Sequence, residues 1–399
     1  MVQSLIVATG ILAAIAMAGN LVDAAEKAPN PKGQAVTAKN LPTQRIVGNI
    51  EPVAVFNGPM PTGVTVSQDG RIFVNFPRWG DKVDYTVAEL ECQTVAYPTA
   101  EFNKPNKERP YESLISVQSV VVDAKNRLWI LDTGRIEFGP PASGGPKLVG
   151  VDLSTNQVFK IIVFPPEVAL PATYLNDMRF DLRRGSDGMA FITDSSSENP
   201  GIIVVDLATG QSWRRLTNHE STRPDPDFVS LVEGRPWMFR PANRKPSPVM
   251  VGADGIAISN DGKRLFYCPL SGWSLYSVST DALANSSLTE DKVAKTVKKE
   301  GDKGVASDGL ESDAKGNLYV TSFDQGAILR RSPAKSYETL VYDPRVLWPD
   351  TLSVAKDGHL YFIVNQLHRQ ARFNGGKDLR EKPYVLYRVK IDAKPVMLK

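Results

Sequence analysis

The chain has 399 residues, of which 42% are hydrophobic and 23% charged, with a formal charge of +3. That balance excludes a disordered or fibrous protein and leaves no basic surplus for a nucleic acid or an anionic membrane surface. The 30 Gly and 29 Pro break the sequence into short segments, and the longest apolar run sits at the extreme N-terminus. A bundle of membrane-spanning helices is excluded as well.

Residues 5–18 (LIVATGILAAIAMA) are apolar but too short to cross a bilayer, and small residues follow at Ala24 and Ala25. We read 1–24 as a secretory signal peptide, 25–44 as a flexible segment and 45–395 as one domain. The expected destination is extracellular, or the periplasm of a Gram-negative cell, with no membrane partner after cleavage. Cys92 and Cys268 cannot build a disulfide framework and show no zinc spacing; they read as two unpaired thiols.

Residues 62–74 (TGVTVSQDGRIFV) read as strand, tight turn, strand. Five comparable segments follow, with turns at Asn126, Gly185, Gly262, Gly316 and Gly358. After most of these hairpins comes a second one, and the shared wording VDLSTNQ (151–157) and VDLATGQ (205–211) supports a true repeat. Six units of four short antiparallel strands indicate an all-β, six-bladed β-propeller. The last unit lacks an outer strand, so residues 45–56 (RIVGNIEPVAVF) are expected to close the ring there. Two long connections, 217–250 and 366–383, read as functional or covering loops. The one helix expected is a short one near 281–284.

Several segments carry a resemblance. PTGVTVSQDGRIFVNFPRW (61–79), RLWILDTG (127–134), YLNDMRFD (174–181), FITDSS (191–196), DGIAISNDGKRLFYCPLSG (254–272) and WPDTLSVAKDGHLYFIVNQLHR (348–369) resemble the major royal jelly protein and Yellow family. The resemblance implies a secreted six-bladed propeller and a range of roles, from dopachrome conversion to amine binding to nutrition. It therefore does not by itself settle activity.

In a propeller the inner strands converge on one channel mouth. Aligning the six units gathers Thr62, Gln118 or Ser119, Asn176 and Asp177, Asp254, Asp308 and Asp350 there. Such an acidic mouth would attract an organic amine, or a hard cation such as Ca²⁺ or another divalent ion held by Asn176, Asp254 and Asp308. Asp254-Gly255 and Asp308-Gly309 also read structurally, as turn residues whose carboxylates bond backbone N–H groups at the strand start, or as inter-blade bonding. Without a cation, crowded carboxylates must keep some protons. Related lactonases of the gluconolactonase and regucalcin type hold a divalent metal at this place with a glutamate from the first blade, where this chain has Thr62.

Asp177 and His368 are the candidates for moving a proton. Gln118, Asn176, Asp254, Asp308, Phe323, Asp350 and Asn365 are the candidates for touching a small-molecule ligand, with Trp79 shaping the rim. His368 equally reads as a scaffold histidine and Phe323 as a core residue. The sequence-level expectation is a small polar or aromatic ligand at the channel mouth, with dopachrome-type isomerisation as the chemistry. Metal-dependent lactone hydrolysis and a non-enzymatic binding role are the alternatives.

Overall fold

The computed structural model describes residues 45–399; the signal-peptide reading of 1–24 and the flexible reading of 25–44 lie outside the described residues. Six four-stranded antiparallel sheets follow one another along the chain. The first runs Gly63–Val66, Ile72–Asn75, Val87–Leu90, Thr94–Ala96, and the second Val117–Val122, Arg127–Asp132, Lys147–Asp152, Gln157–Val163. The third is Leu175–Asp181, Met189–Asp194, Gly201–Asp206, Ser212–Arg215, and the fourth Ala253–Ile258, Arg264–Pro269, Ser274–Ser279, Lys298–Asp302. The fifth is Leu310–Ser312, Leu318–Ser322, Ala327–Arg331, Tyr337–Tyr342. In the sixth, Pro349–Val354, His359–Val364 and Tyr384–Lys390 are completed by the N-terminal strand Ile50–Phe56, which pairs antiparallel with Tyr384–Lys390. Each inner strand packs against the inner strands of two neighbours, the first against the sixth included. The ring is closed as expected.

Each blade is apolar on both faces, so the core is divided into six clusters, one between each pair of blades. Phe73, Val87, Val120 and Ile130 fill the first-to-second interface, for example, and Ile328, Val341, Leu352 and Phe362 the fifth-to-sixth. Each buried side chain of this size contributes roughly 1.5–3 kcal/mol relative to an exposed one. No blade keeps that gain alone, which is why closure matters.

The hairpin joining the first two strands is pinned by a recurring device. Asp123 accepts bonds from the Lys125 and Arg127 amides (2.9 and 3.0 Å), and its other oxygen accepts from Trp129 Nε1 at 2.8 Å. In the fifth blade Asp313 does the same for Lys315 and Asn317, with Tyr319 Oη at 2.8 Å. Tyr361 Oη donates to Asp357 in the sixth at 2.8 Å. The spacing of a turn aspartate and an aromatic six or four residues later is therefore structural.

Outside the blades, residues 217–250 form two small hairpins, Leu231–Val232 with Arg235–Pro236 and Met238–Phe239 with Ser247–Pro248. Segment 366–383 forms two 3₁₀ turns, Leu367–Arg369 and Ala371–Phe373. The two segments bind each other: the Arg240 amide donates to Arg372 O at 2.9 Å and the Gly375 amide to Arg240 O at 2.8 Å. Trp237 locks them to the ring, its centroid 5.4 Å from Phe373, 4.9 Å from Trp348 and 5.4 Å from Phe323. They cover one mouth of the channel. At the other, the Leu182 amide donates to Leu398 O at 2.9 Å and Leu398 is buried, so the last residues plug that end. The short helix spans Thr280–Ala284; a second, Glu290–Ala294, is not evident from the sequence.

Candidate functional site

Four of the inner strands are irregular at one place. Pairing with the second strand shifts between Val117 and Ser119, Leu175 and Met178, Ala253 and Ile256, and Pro349 and Leu352. These bulges carry Gln118, Asn176, Asp254 and Asp350. A bulge leaves a residue without a ladder partner and re-aims its side chain, here toward the channel. Asp308 stands just before the fifth inner strand, where Thr321 Oγ1 accepts the Asp308 and Gly309 amides, both at 3.0 Å.

The glycines after two of the aspartates are not turn residues. A Cβ on Gly255 would lie 2.3 Å from Asp308 O, and one on Gly309 2.2 Å from Asp350 O. Each glycine lets the backbone of the next blade approach, so the Asp-Gly pair marks a blade-to-blade junction and not a hairpin. The geometry rules out the turn alternative at both positions.

Gln118, Asn176, Asp254, Asp308 and Asp350 together line a cavity of about 660 Å³ under the covering segments. Asp254, Asp308 and Asp350 form its acidic floor. Burial is the largest cause of an upward shift in all three; repulsion from Asp308 adds to it at Asp254 and Asp350, and repulsion from Asp177 adds to it at Asp308 and Asp350. Asp308 is pushed up to about 6, held back by Trp348 Nε1, which donates to its Oδ2 at 2.7 Å, and by a hydrogen bond from Asp254. Asp254 and Asp350 move well up, Asp350 being restrained by Asn365 Nδ2 at 2.6 Å. The floor therefore retains protons near neutral pH without a basic side chain to neutralise it.

Phe323, Asn365, Asp177 and His368 do not line the cavity. Phe323 stacks on Trp348, with centroids 4.0 Å apart, and so supports the donor to Asp308. Asn365 aims Asp350 and donates also to Pro61 O at 3.1 Å. Asp177 is turned down the channel, accepting from Ser119 Oγ at 2.6 Å and pairing with Arg179 Nη1 at 2.8 Å. His368 lies between the covering segments, where Nε2 meets Glu233 at 2.7 Å and the ring stacks on Trp348 at 5.7 Å. Burial pushes the His368 pKa down, against the pull of Glu233. Thr62 is fully buried, accepting from Asn75 Nδ2 at 2.9 Å, and is absent from the cavity lining.

The walls are where the sequence misleads. Trp79, Phe138 and Tyr174 form an aromatic face: Trp79 and Phe138 stack at 5.5 Å, Phe138 and Tyr174 lie 5.6 Å apart, and Trp79 Nε1 donates to Tyr174 Oη at 2.6 Å. Tyr174 Oη donates in turn to Gln118 Oε1 at 3.1 Å, and burial pushes its pKa up. Arg372 packs on this face, with burial lowering it to about 10. Of these residues only Trp79 is expected at the rim from the sequence. Tyr174 offers a signal in hindsight, standing two residues before Asn176; Arg372 and Phe138, on loops, offer none.

Among the described residues, no group of three or more His, Cys, Asp or Glu side chains is arranged to hold a metal ion. Asn176, Asp254 and Asp308 all reach the cavity, but the first-blade position is Thr62, buried outside it, so the set is one ligand short of the lactonase pattern.

The family model for the major royal jelly proteins matches residues 115–395. Major royal jelly protein 1 of Apis mellifera is 29% identical over 188 residues, covering 45% of this chain and 40% of that protein. Protein yellow of Drosophila melanogaster is 26% identical over 251 residues, covering 58% and 43%. These matches thus span about two-fifths of the relatives' length. Among solved structures, a luciferin-regenerating enzyme superposes with a TM-score of 0.54 at 13% identity, covering 88% of this chain and 99% of that one. The calcium-binding protein regucalcin from Agrobacterium tumefaciens gives 0.51 at 14%, covering 86% and 95%. At these identities the structures share the propeller fold and nothing finer. Since the family model covers well over half of the sequence, the chain belongs to the major royal jelly protein family.

Proposed function

We propose that this protein binds a small aromatic molecule bearing a basic or protic nitrogen in the central cavity, and that the floor carboxyls shift a proton on it. The observation that supports this reading is the combination of three buried acids lacking a basic partner with one aromatic wall. An aromatic amine satisfies both: its ring packs against the face formed by Trp79, Phe138 and Tyr174, and its nitrogen donates to a floor that otherwise repels itself. Because Asp308 sits near 6 and shares a hydrogen bond with Asp254, one carboxyl can accept a proton while its neighbour gives one up. That is the requirement for tautomerising an aminochrome such as dopachrome, in which two carbon-bound protons leave in turn, from C2 and C3, and both quinone oxygens are protonated. The chemistry requires no net redox change. Export of the mature chain, with residues 1–24 removed, belongs to the same proposal.

Thermal denaturation with millimolar tryptamine or dopamine tests the binding step. A rise in Tm is expected, and its absence with every catechol and indole amine overturns the reading. Aminochrome decay monitored by absorbance tests the chemistry. The expected result is acceleration that disappears in Asp308→Asn.

A further inference from the structure

We propose that Arg372 receives an anionic group, so that the ligand of the central cavity is an aromatic molecule carrying a carboxylate in addition to its nitrogen. The proposal rests on the reading above, that the cavity binds an aromatic amine, and narrows its substrate class.

The guanidinium carbon of Arg372 lies 4.5 Å from the Phe138 ring centroid, 5.2 Å from Trp79 and 5.1 Å from Phe373. Three rings hold it in one place on the cavity wall. Its buried Nε has no hydrogen-bond partner among the described residues, and the ionisable groups that act on it are the Tyr174 hydroxyl and Arg380, not a carboxylate. The neighbouring arginines differ. Arg135 spends its terminal nitrogens on Gly139 O (3.2 Å) and Pro171 O, and Arg380 pairs with Asp81 (2.8 Å) and Asp378 (2.7 Å). Of these three, Arg372 combines a place on the cavity with no acceptor among the described residues, whereas Arg135, also on the cavity, lacks one only at Nε.

A desolvated guanidinium without an anion is costly unless something supplies one, and its planar fork suits a carboxylate in particular. The floor acids do not supply it, since they hydrogen-bond to one another, to Trp348 and to Asn365. Acid floor and basic wall therefore face a common space while remaining unpaired with each other. A molecule with a donor at one end and a carboxylate elsewhere satisfies both.

Calorimetry on the full-length protein with two matched probe pairs tests this: tryptamine with tryptophan, and benzylamine with 4-(aminomethyl)benzoate. The first pair places the charges side by side and the second sets them at opposite ends of the ring. The carboxylated member of at least one pair should bind about tenfold or more tightly than its plain amine. That preference should collapse toward unity in Arg372→Gln and return in part in Arg372→Lys. If the amines bind and neither carboxylate improves affinity in the unmutated protein, the inference falls while the amine-binding reading stands. Survival of the preference in Arg372→Gln overturns the inference in the same way. If no probe binds, both fall. The comparison within the unmutated protein does not depend on either variant folding.

Discussion

The two ends of the central channel are built from the same six inner strands yet treat their acids in opposite ways. At the plugged end Asp177 and Glu311 share Arg179, at 2.8 and 3.4 Å, and the guanidinium also donates to Leu310 O at 2.7 Å. At the covered end Asp254, Asp308 and Asp350 are also buried and, among the described residues, have only neutral donors or one another as hydrogen-bond partners. Buried acids with a cation are scaffold; buried acids without one are costly to the fold and so indicate a site. Proximity to the axis does not separate the two classes, since Asp177 and Asp254 come from equivalent units. The partner does.

The largest effect is expected from removing the cation of the scaffold end. Arg179→Met leaves Asp177 and Glu311 buried without a counter-charge and should destabilise the protein by about 3–5 kcal/mol in denaturant titrations. A loss below about 1 kcal/mol would mean that the two ends are not different in kind.

At the site end the sign reverses. The Asp308 carboxyl, raised from 3.8 to about 6, keeps its proton where the unfolded chain has lost it. Its contribution to stability is therefore complete below about pH 4 and is lost as pH rises through about 6. That difference is on the order of 3 kcal/mol. Asp308→Asn should accordingly raise Tm at pH 7.5, flatten the pH dependence between 4 and 7, and abolish aromatic-amine binding. A variant that is destabilised at pH 7.5 would place Asp308 with the scaffold acids.

Leu398→Ala trims the plug and should cost about 2 kcal/mol or somewhat more, without altering ligand affinity. A parallel loss of affinity would show that the two ends are coupled. The smallest effect concerns the cover. Glu233 holds Arg369 Nη2 at 2.6 Å and His368 Nε2 at 2.7 Å, which lowers its pKa to about 2. Since this cluster is partly exposed, Glu233→Gln should change stability by less than about 1 kcal/mol. Ligand dissociation, followed by stopped flow, should accelerate by roughly threefold to tenfold as the two covering segments separate. Unchanged dissociation would mean that the cover does not gate the cavity.

Much of this molecule is legible in its sequence. Period-two strands around Asp-Gly and Asn turns give hairpins locally, and six hairpin pairs have one economical way to bury both faces of every sheet. The blade count, the closing strand 50–56 and the convergence of Gln118, Asn176, Asp254, Asp308 and Asp350 follow from that regularity. The outward turn devices at Asp123 and Asp313 are hidden only because their partners, Trp129 and Tyr319, read as ordinary strand aromatics.

What the tertiary structure alone decided is how residues of the same unit position divide their roles. Whether an inner-strand acid faces the cavity or an arginine depends on a one-residue bulge, as at Asn176 and Asp177. Whether Asp-Gly is a turn or a junction depends on the neighbouring blade. Phe323 and Asn365 became supports because they hold Trp348 and Asp350, and His368 was taken out of the ligand space by Glu233 on a distant loop. Arg372 and Phe138 belong to irregular segments, where no periodicity fixes the direction of a side chain. Strand pattern is a local property and survives reading one residue at a time; burial, charge pairing and cavity walls are properties of atoms brought together from far along the chain.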